Sequence, residues 1–124
     1  MSPDRLFLLL GSLSGFTGVL LGAFAAHGLR GKLPDEMFNI FEVGVRYQLY
    51  HAVALLVLAL AVDRWPRSEF SVAGWFFVFG TVCFSGSLYV LSLSGVRWFG
   101  AIAPIGGVAF LLGWCSIAWG AWKG

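Results

Sequence analysis

Charge in this chain is concentrated in short segments between long apolar runs, and that spacing leaves few folds open. The runs cover residues 6–26, a stretch ending at 62, then 70–93 and 99–119. Each is about one span long, since ~20 apolar residues at ~1.5 Å rise cross a ~30 Å hydrocarbon layer. Only 11% of the residues are charged and 59% are hydrophobic, with a mean hydropathy of +0.85. Soluble domains carry about a quarter charged residues, and a soluble fold of 124 residues could not hide this much apolar surface. The bilayer is therefore the expected solvent. The predicted fold is an all-α membrane protein, a single domain over residues 1–124 with four transmembrane helices in a compact bundle. A short interfacial helix leads into the second span. The net charge of +2, without a basic cluster, excludes nucleic acid as a partner.

The first run follows Met-Ser-Pro-Asp-Arg and contains Ala23-Phe24-Ala25, features shared with signal peptides. Its length exceeds the ~7–15 residues of a signal core and predicts a retained span. Gly11, Gly15, Gly18 and Gly22 recur at four- and three-residue steps, which places them on one side as a close-packing face. Glycine weakens a helix unless packing compensates. His27-Gly28-Leu29-Arg30-Gly31-Lys32 is expected to end this helix, with glycine as the cap. Pro34, Asp35 and Glu36 then suit the first turn of the next. Met37, Phe38, Ile40 and Phe41 would dip into the acyl boundary from residues 35–46.

The polar stretch Glu42-Val-Gly-Val-Arg-Tyr-Gln-Leu-Tyr-His51 runs without a breaker into an apolar one. At ~100° per residue, Glu42, Arg46 and Tyr50 share an edge, with Tyr47 and His51 ~100° further round. Glu42 and Arg46 stand four apart in the favourable acid-first order. They are expected to pair, so Arg46→Ala should harm the protein more than Arg30→Ala or Arg97→Ala. His51 should lie at or just below the headgroups.

In the third run, Ser85, Tyr89 and Ser92 fall on one face that should look at protein. In the fourth, Pro104 invites a kink, while Gly106, Gly113 and Gly120 suggest a second close-packing seam. Trp114, Trp119, Trp122 and Lys123 are expected to anchor the far end. Cys83 and Cys115 read as small buried hydrophobes rather than a disulfide. Both termini fall on one side, with Arg5, Arg64, Arg67 and Lys123; Arg30, Lys32 and Arg97 lie opposite. With Arg46 engaged inside the protein, this distribution leans toward cytoplasmic termini.

Four motifs carry a family resemblance. They are Gly22-Ala-Phe-Ala-Ala-His-Gly-Leu29, Tyr47-Gln48-Leu-Tyr-His51-Ala52, Gly86-Ser87-Leu-Tyr89, and Pro104-Ile-Gly106-Gly107 with Gly113-Trp114. Together with the four-span layout they resemble the YgdD/YwdK-like small membrane proteins, domain-of-unknown-function family 423. The resemblance spans nearly the whole chain. It departs at Ala25, where that pattern more often shows glycine, which should loosen packing near His27. It implies a four-helix protein of the bacterial inner membrane and no particular activity.

Ionisable and polar groups at membrane depth are functional candidates because placing them there is costly. The candidates are Glu42, Arg46, Tyr47, Gln48, His51, His27, Ser87 and Tyr89. His27 and His51 come from helix ends on one side and could approach each other, with Glu42 the nearest third ligand for a metal. Two histidines without tight ligand spacing do not make a metal site, and no metal or cofactor is expected. A histidine bonding Tyr47 or Ser87, or a proton relay through His51, Tyr89 and Glu42, fits the same residues. Arg46 could meet an anion or a lipid phosphate. No nucleophile elbow, phosphate loop, haem ligand pair or carboxylate cluster is present, so catalysis is not expected.

Two function classes remain. One is an accessory or assembly component whose glycine seams bind lipids or the helices of a larger membrane complex, which predicts polar groups satisfied among themselves and glycine faces turned outward. The other is a homo-oligomeric translocation protein for ions or small solutes, gated near Glu42, Arg46 and His51. The sparse complement of deep polar residues favours the accessory reading.

Overall fold

The first helix starts at Pro3, ahead of the apolar run: proline loses no hydrogen bond in a first turn, and the carboxylate of Asp4 meets the positive end of the helix dipole. The computed structural model describes all 124 residues. Its four helices are α1 (Pro3–Leu29), α2 (Asp35–Arg64), α3 (Ser68–Ser94) and α4 (Arg97–Lys123), each long and apolar enough to cross a membrane. Their outward faces carry large apolar side chains, among them Leu13, Phe16, Val53, Leu60, Val82 and Leu111. Such a surface suits acyl chains and no other solvent.

α1 ends within the 27–32 segment, as its glycines led us to expect, but first widens into a π-helical turn over Ala25–Leu29. The reversal falls at Gly31, whose φ of +80° only glycine adopts without strain. Gly95, at φ +73°, performs the same task after α3. α2 then runs unbroken for 30 residues. The apolar side chains of its first turns do not dip into the acyl boundary: Met37, Phe38 and Phe41 are buried inside the protein and only Ile40 is half-buried. Phe41 packs on the rings of Tyr89 and Phe24. With Ala25, Leu29 and Val45 it forms one apolar core. Ala25 is fully buried there, so packing at this position is not loose.

A second, larger core gathers Phe7, Leu55, Leu58, Phe70, Phe77 and Phe110 toward the other end. α2 is the central helix. α1 packs along it through the glycine face: a methyl at Gly11 or Gly18 would collide with Leu56 or Leu49, and one at Gly22 would press on Val45. At Gly15 the approach is looser, 3.9 Å from the Ala52 methyl. α4 packs along α3, with Gly106, Gly113 and Gly120 against Phe84, Phe77 and Phe70. Gly107 makes only ordinary contact with Phe84.

Three further expectations change. Pro104 does not kink a helix. α4 begins with a 3₁₀ turn over Arg97–Ala101 and becomes α-helical at Ala103, so Pro104 occupies a first turn where its missing N–H is harmless. The cysteines form no disulfide, but Cys83 is half-buried and Cys115 faces outward. Trp119 and Trp122 are exposed at the end of α4, whereas Trp114 points its indole N–H into the bundle.

Both termini and the 65–67 turn share one end. Arg67 donates to the Gly124 carbonyl at 2.9 Å, and Lys123 pairs with Glu69. At the other end Arg97 pairs with Glu36 at 3.1 Å, tying the start of α4 to the start of α2.

Candidate functional site: a polar layer between two apolar cores

Between the two cores lies a layer of amide, hydroxyl and imidazole groups near the middle of the helices. Gln48, on α2, is its hub and is only 5% exposed. Gly18 opposite Leu49 lets the two backbones close, which brings the Gln48 amide within reach of α1. Its Nε2 donates to the Ser14 carbonyl at 2.9 Å and to Thr17 Oγ1 at 2.8 Å. Its Oε1 accepts from the Tyr89 hydroxyl of α3 at 2.6 Å. One side chain thus ties three helices together. Buried amides are stable only when bonded in this way.

Beside it, Ser85 is 1% exposed and donates to the Gly44 carbonyl at 2.7 Å. Gly44 lacks the Cβ that would strike the Tyr89 ring, so α2 and α3 can meet there. Ser85 closes a π-helical turn over Thr81–Ser85. Such turns often mark functional sites, because they aim side chains that a regular helix would not.

One turn further along the same buried side of α2, His51 is 4% exposed. Its Nδ1 lies 2.8 Å from the Tyr47 carbonyl, and its Nε2 accepts from Trp114 Nε1–H at 3.1 Å. A carbonyl cannot donate and an indole cannot accept, so the ring is the neutral Nδ1–H tautomer. It stacks flat on Phe110 with ring centroids 3.7 Å apart and meets Phe77 edge-on. His51 lies level with Gly15 of α1, as Gly15 faces Ala52, so it sits near mid-span and not at the headgroups.

The other candidates are dispersed. Glu42 and Arg46 form no ion pair, and Arg46 is exposed; the ion pairs are Arg97–Glu36 and Lys123–Glu69. His27 is exposed at the end of α1, some twelve residues or ~18 Å along the axis from the level of His51. The two histidines do not meet, and no three His, Cys, Asp or Glu gather where they could hold a metal. Tyr47 lays its ring against Phe84 near the surface. Ser87 is buried but donates to the Phe84 carbonyl within its own helix. Ser92 likewise donates to the Tyr89 carbonyl.

Ser14, Thr17 and Thr81 were not anticipated from the sequence. Ser14 and Thr17 flank glycines of the α1 seam, a neighbourhood that brings small polar groups to a partner backbone. All three line a lateral cleft of about 390 Å³ between α1 and α3, with Gln48 and Tyr89 at its base. The layer can bond an uncharged polar group. It offers no nucleophile with a free base, since the His51 Nε2 lone pair is held by Trp114 and Ser85 is committed to a carbonyl.

Comparison with known proteins gives a consistent picture. Residues 21–107 match the family model described as "Protein of unknown function (DUF423)". The chain is 43% identical over 120 residues to the UPF0382 membrane protein YwdK of Bacillus subtilis, covering 96% of this chain and 98% of that one. It is 41% identical over 118 residues to the UPF0382 inner membrane protein YgdD of Escherichia coli, covering 95% and 90%. A UPF0382 membrane protein of Haemophilus influenzae is 42% identical over 118 residues, covering 94% of each. No solved structure matches. With its four spans and a match along nearly its whole length, the chain belongs to the DUF423 family of multi-pass bacterial membrane proteins.

Proposed function

We propose that this protein is a non-catalytic accessory component of the bacterial cytoplasmic membrane that works by binding lipid or the helices of other membrane proteins. The observation that supports this reading is the state of the polar layer. Gln48, Tyr89, Ser85 and His51 are bonded to partners within the chain, and apolar cores lie on both sides of them. A conduit needs polar groups that face a wet path; these four are taken up by partners within the chain. The glycine faces do not turn outward as an accessory role led us to expect: they are spent on α1–α2 and α3–α4 contacts, so a partner would meet the lipid-facing side chains or the lateral cleft.

Homo-oligomeric translocation gated at Glu42, Arg46 and His51 needs those three residues on one route. Arg46 faces outward and His51 is enclosed by aromatic rings, which does not favour it. Native mass after gentle extraction from the membrane tests the choice. Co-migration with a larger complex, or a small species retaining lipid, is the expected result. A defined homo-oligomer whose ion or solute flux in liposomes disappears on changing Glu42 or His51 would sink the accessory reading.

A further inference from the structure

Helix-borne hydroxyls at membrane depth ordinarily bond the carbonyl one turn back. Ser12, Ser94 and Ser116 do so with Leu8, Val90 and Leu112, and Thr17 does so with Leu13. Ser14 Oγ and Thr81 Oγ1 are buried without any hydrogen-bond partner in the protein. Both belong to the wall of the cleft between α1 and α3. Thr81 also begins the π-helical turn of α3, so the departure from regular helix starts at the same wall.

We propose that this cleft receives, from the bilayer, the polar end of an uncharged lipid bearing a hydroxyl or carbonyl. The inference deepens the lipid-binding part of the reading above and rests on it. Three observations select this ligand. No charged side chain lines the cleft, whose walls are otherwise apolar residues such as Leu10, Leu13, Val78 and Val82. Ser14, Gln48 and Thr81 lie near the middle of their helices, a depth at which an ionised phosphate would be prohibitively desolvated while a neutral oxygen needs only partners. The available groups match such an oxygen: two hydroxyls free to donate or accept, and the second lone pair of Gln48 Oε1, whose first accepts from Tyr89. The hydroxyl oxygens are shielded by their neighbours, so they reach a ligand by rotating about one side-chain bond between staggered positions. The cleft volume, about 390 Å³, holds a small polar end and the first part of its chain.

The test uses the full-length protein in phospholipid vesicles containing a trace of diacylglycerol with a photoreactive group near its glycerol. Irradiation should give saturable labelling concentrated at Leu10, Leu13, Val78 and Val82, displaced by unlabelled diacylglycerol. A phosphatidylglycerol probe with the same chains should label the outer faces of all four helices without that concentration. The Ser14→Ala/Thr81→Val double variant should lower cleft labelling by about tenfold, the loss of two modest hydrogen bonds. Its thermal unfolding midpoint should hold or rise, since it removes two unpartnered hydroxyls. Gly86→Leu supplies an independent check: a Cβ there meets nothing within 4 Å, so the side chain fits while filling the cleft, and labelling should vanish in a folded protein. Labelling spread evenly for both probes would overturn the proposal. So would unchanged labelling in the double variant, or a fall in its stability, which would mean that the hydroxyls serve the fold through a bridging water. Crosslinking from these positions to a second polypeptide would make the cleft a helix groove; that sinks the lipid site while leaving the accessory reading intact.

Discussion

At the residue scale, the outcome turns on two positions two apart on one helix. Arg46 and Gln48 lie ~200° apart around α2, so when one faces out the other faces in. Gln48→Leu should destabilise the protein by about 2 kcal/mol, because it leaves the Tyr89 hydroxyl and the Thr17 hydroxyl without their buried partner. The double variant Gln48→Leu/Tyr89→Phe should recover about 1 kcal/mol of that in detergent thermal unfolding. Strict additivity of the two changes would show that the bond carries no coupling. Among the arginines, the ranking read from the sequence reverses. Arg46→Ala should leave stability unchanged, whereas Arg97→Ala should lower the unfolding midpoint slightly, and added salt should shrink the difference because the Glu36 pair is exposed. A larger loss for Arg46→Ala would restore the Glu42 pairing that this structure does not contain.

At the scale of elements, glycine separates into two kinds. Gly113 sits against the Phe77 ring and the Ala73 carbonyl, so Gly113→Ala should cost about 1–3 kcal/mol by forcing α3 and α4 apart. Gly86→Ala meets nothing and should gain about 0.5–1 kcal/mol of helix propensity. Equal responses, read as midpoint shifts, would count against the seam. The four spans and their turns were legible because hydropathy and breakers follow directly from what a bilayer tolerates. Side-chain direction was less so. Glycine spacing indicated a close approach but not that α2 of the same chain makes it. Pro104 read as a kink because the residues ahead of it, 98–103, are as apolar as a span and conceal where the α-helix begins. Trp114 read as an anchor because indole rings favour interfaces, yet the same N–H can serve a buried acceptor. Charge drew attention to Glu42 and Arg46, while the structural weight fell on a neutral amide.

For the whole molecule, the balance of cations decides how firmly the protein is oriented. The terminal end carries Arg5, Arg64, Arg67 and Lys123, and the other end Arg30, Lys32 and Arg97, with Arg46 part-way along α2 and nearer that second end. With Arg46 exposed, nothing removes it from that balance, and the basis for preferring cytoplasmic termini disappears. Reporters fused to either terminus should always agree with each other, since both ends meet at the 65–67 turn. Two added lysines in the 30–34 loop should shift the population toward termini outside. Reporters that disagree, or an orientation indifferent to the added charge, would contradict this layout.

The α1–α2 seam also bears on how the chain is made. Every contact along it joins residues no further on than Arg64, so a ribosome has finished that hairpin before α3 is exposed. The first two helices can zip together in the membrane while the rest is still being synthesised. Gln48 enters that early hairpin with its α1 bonds made and its Oε1 waiting. Tyr89, delivered with the third helix, then acts as a late latch that admits the second half of the protein in one register only.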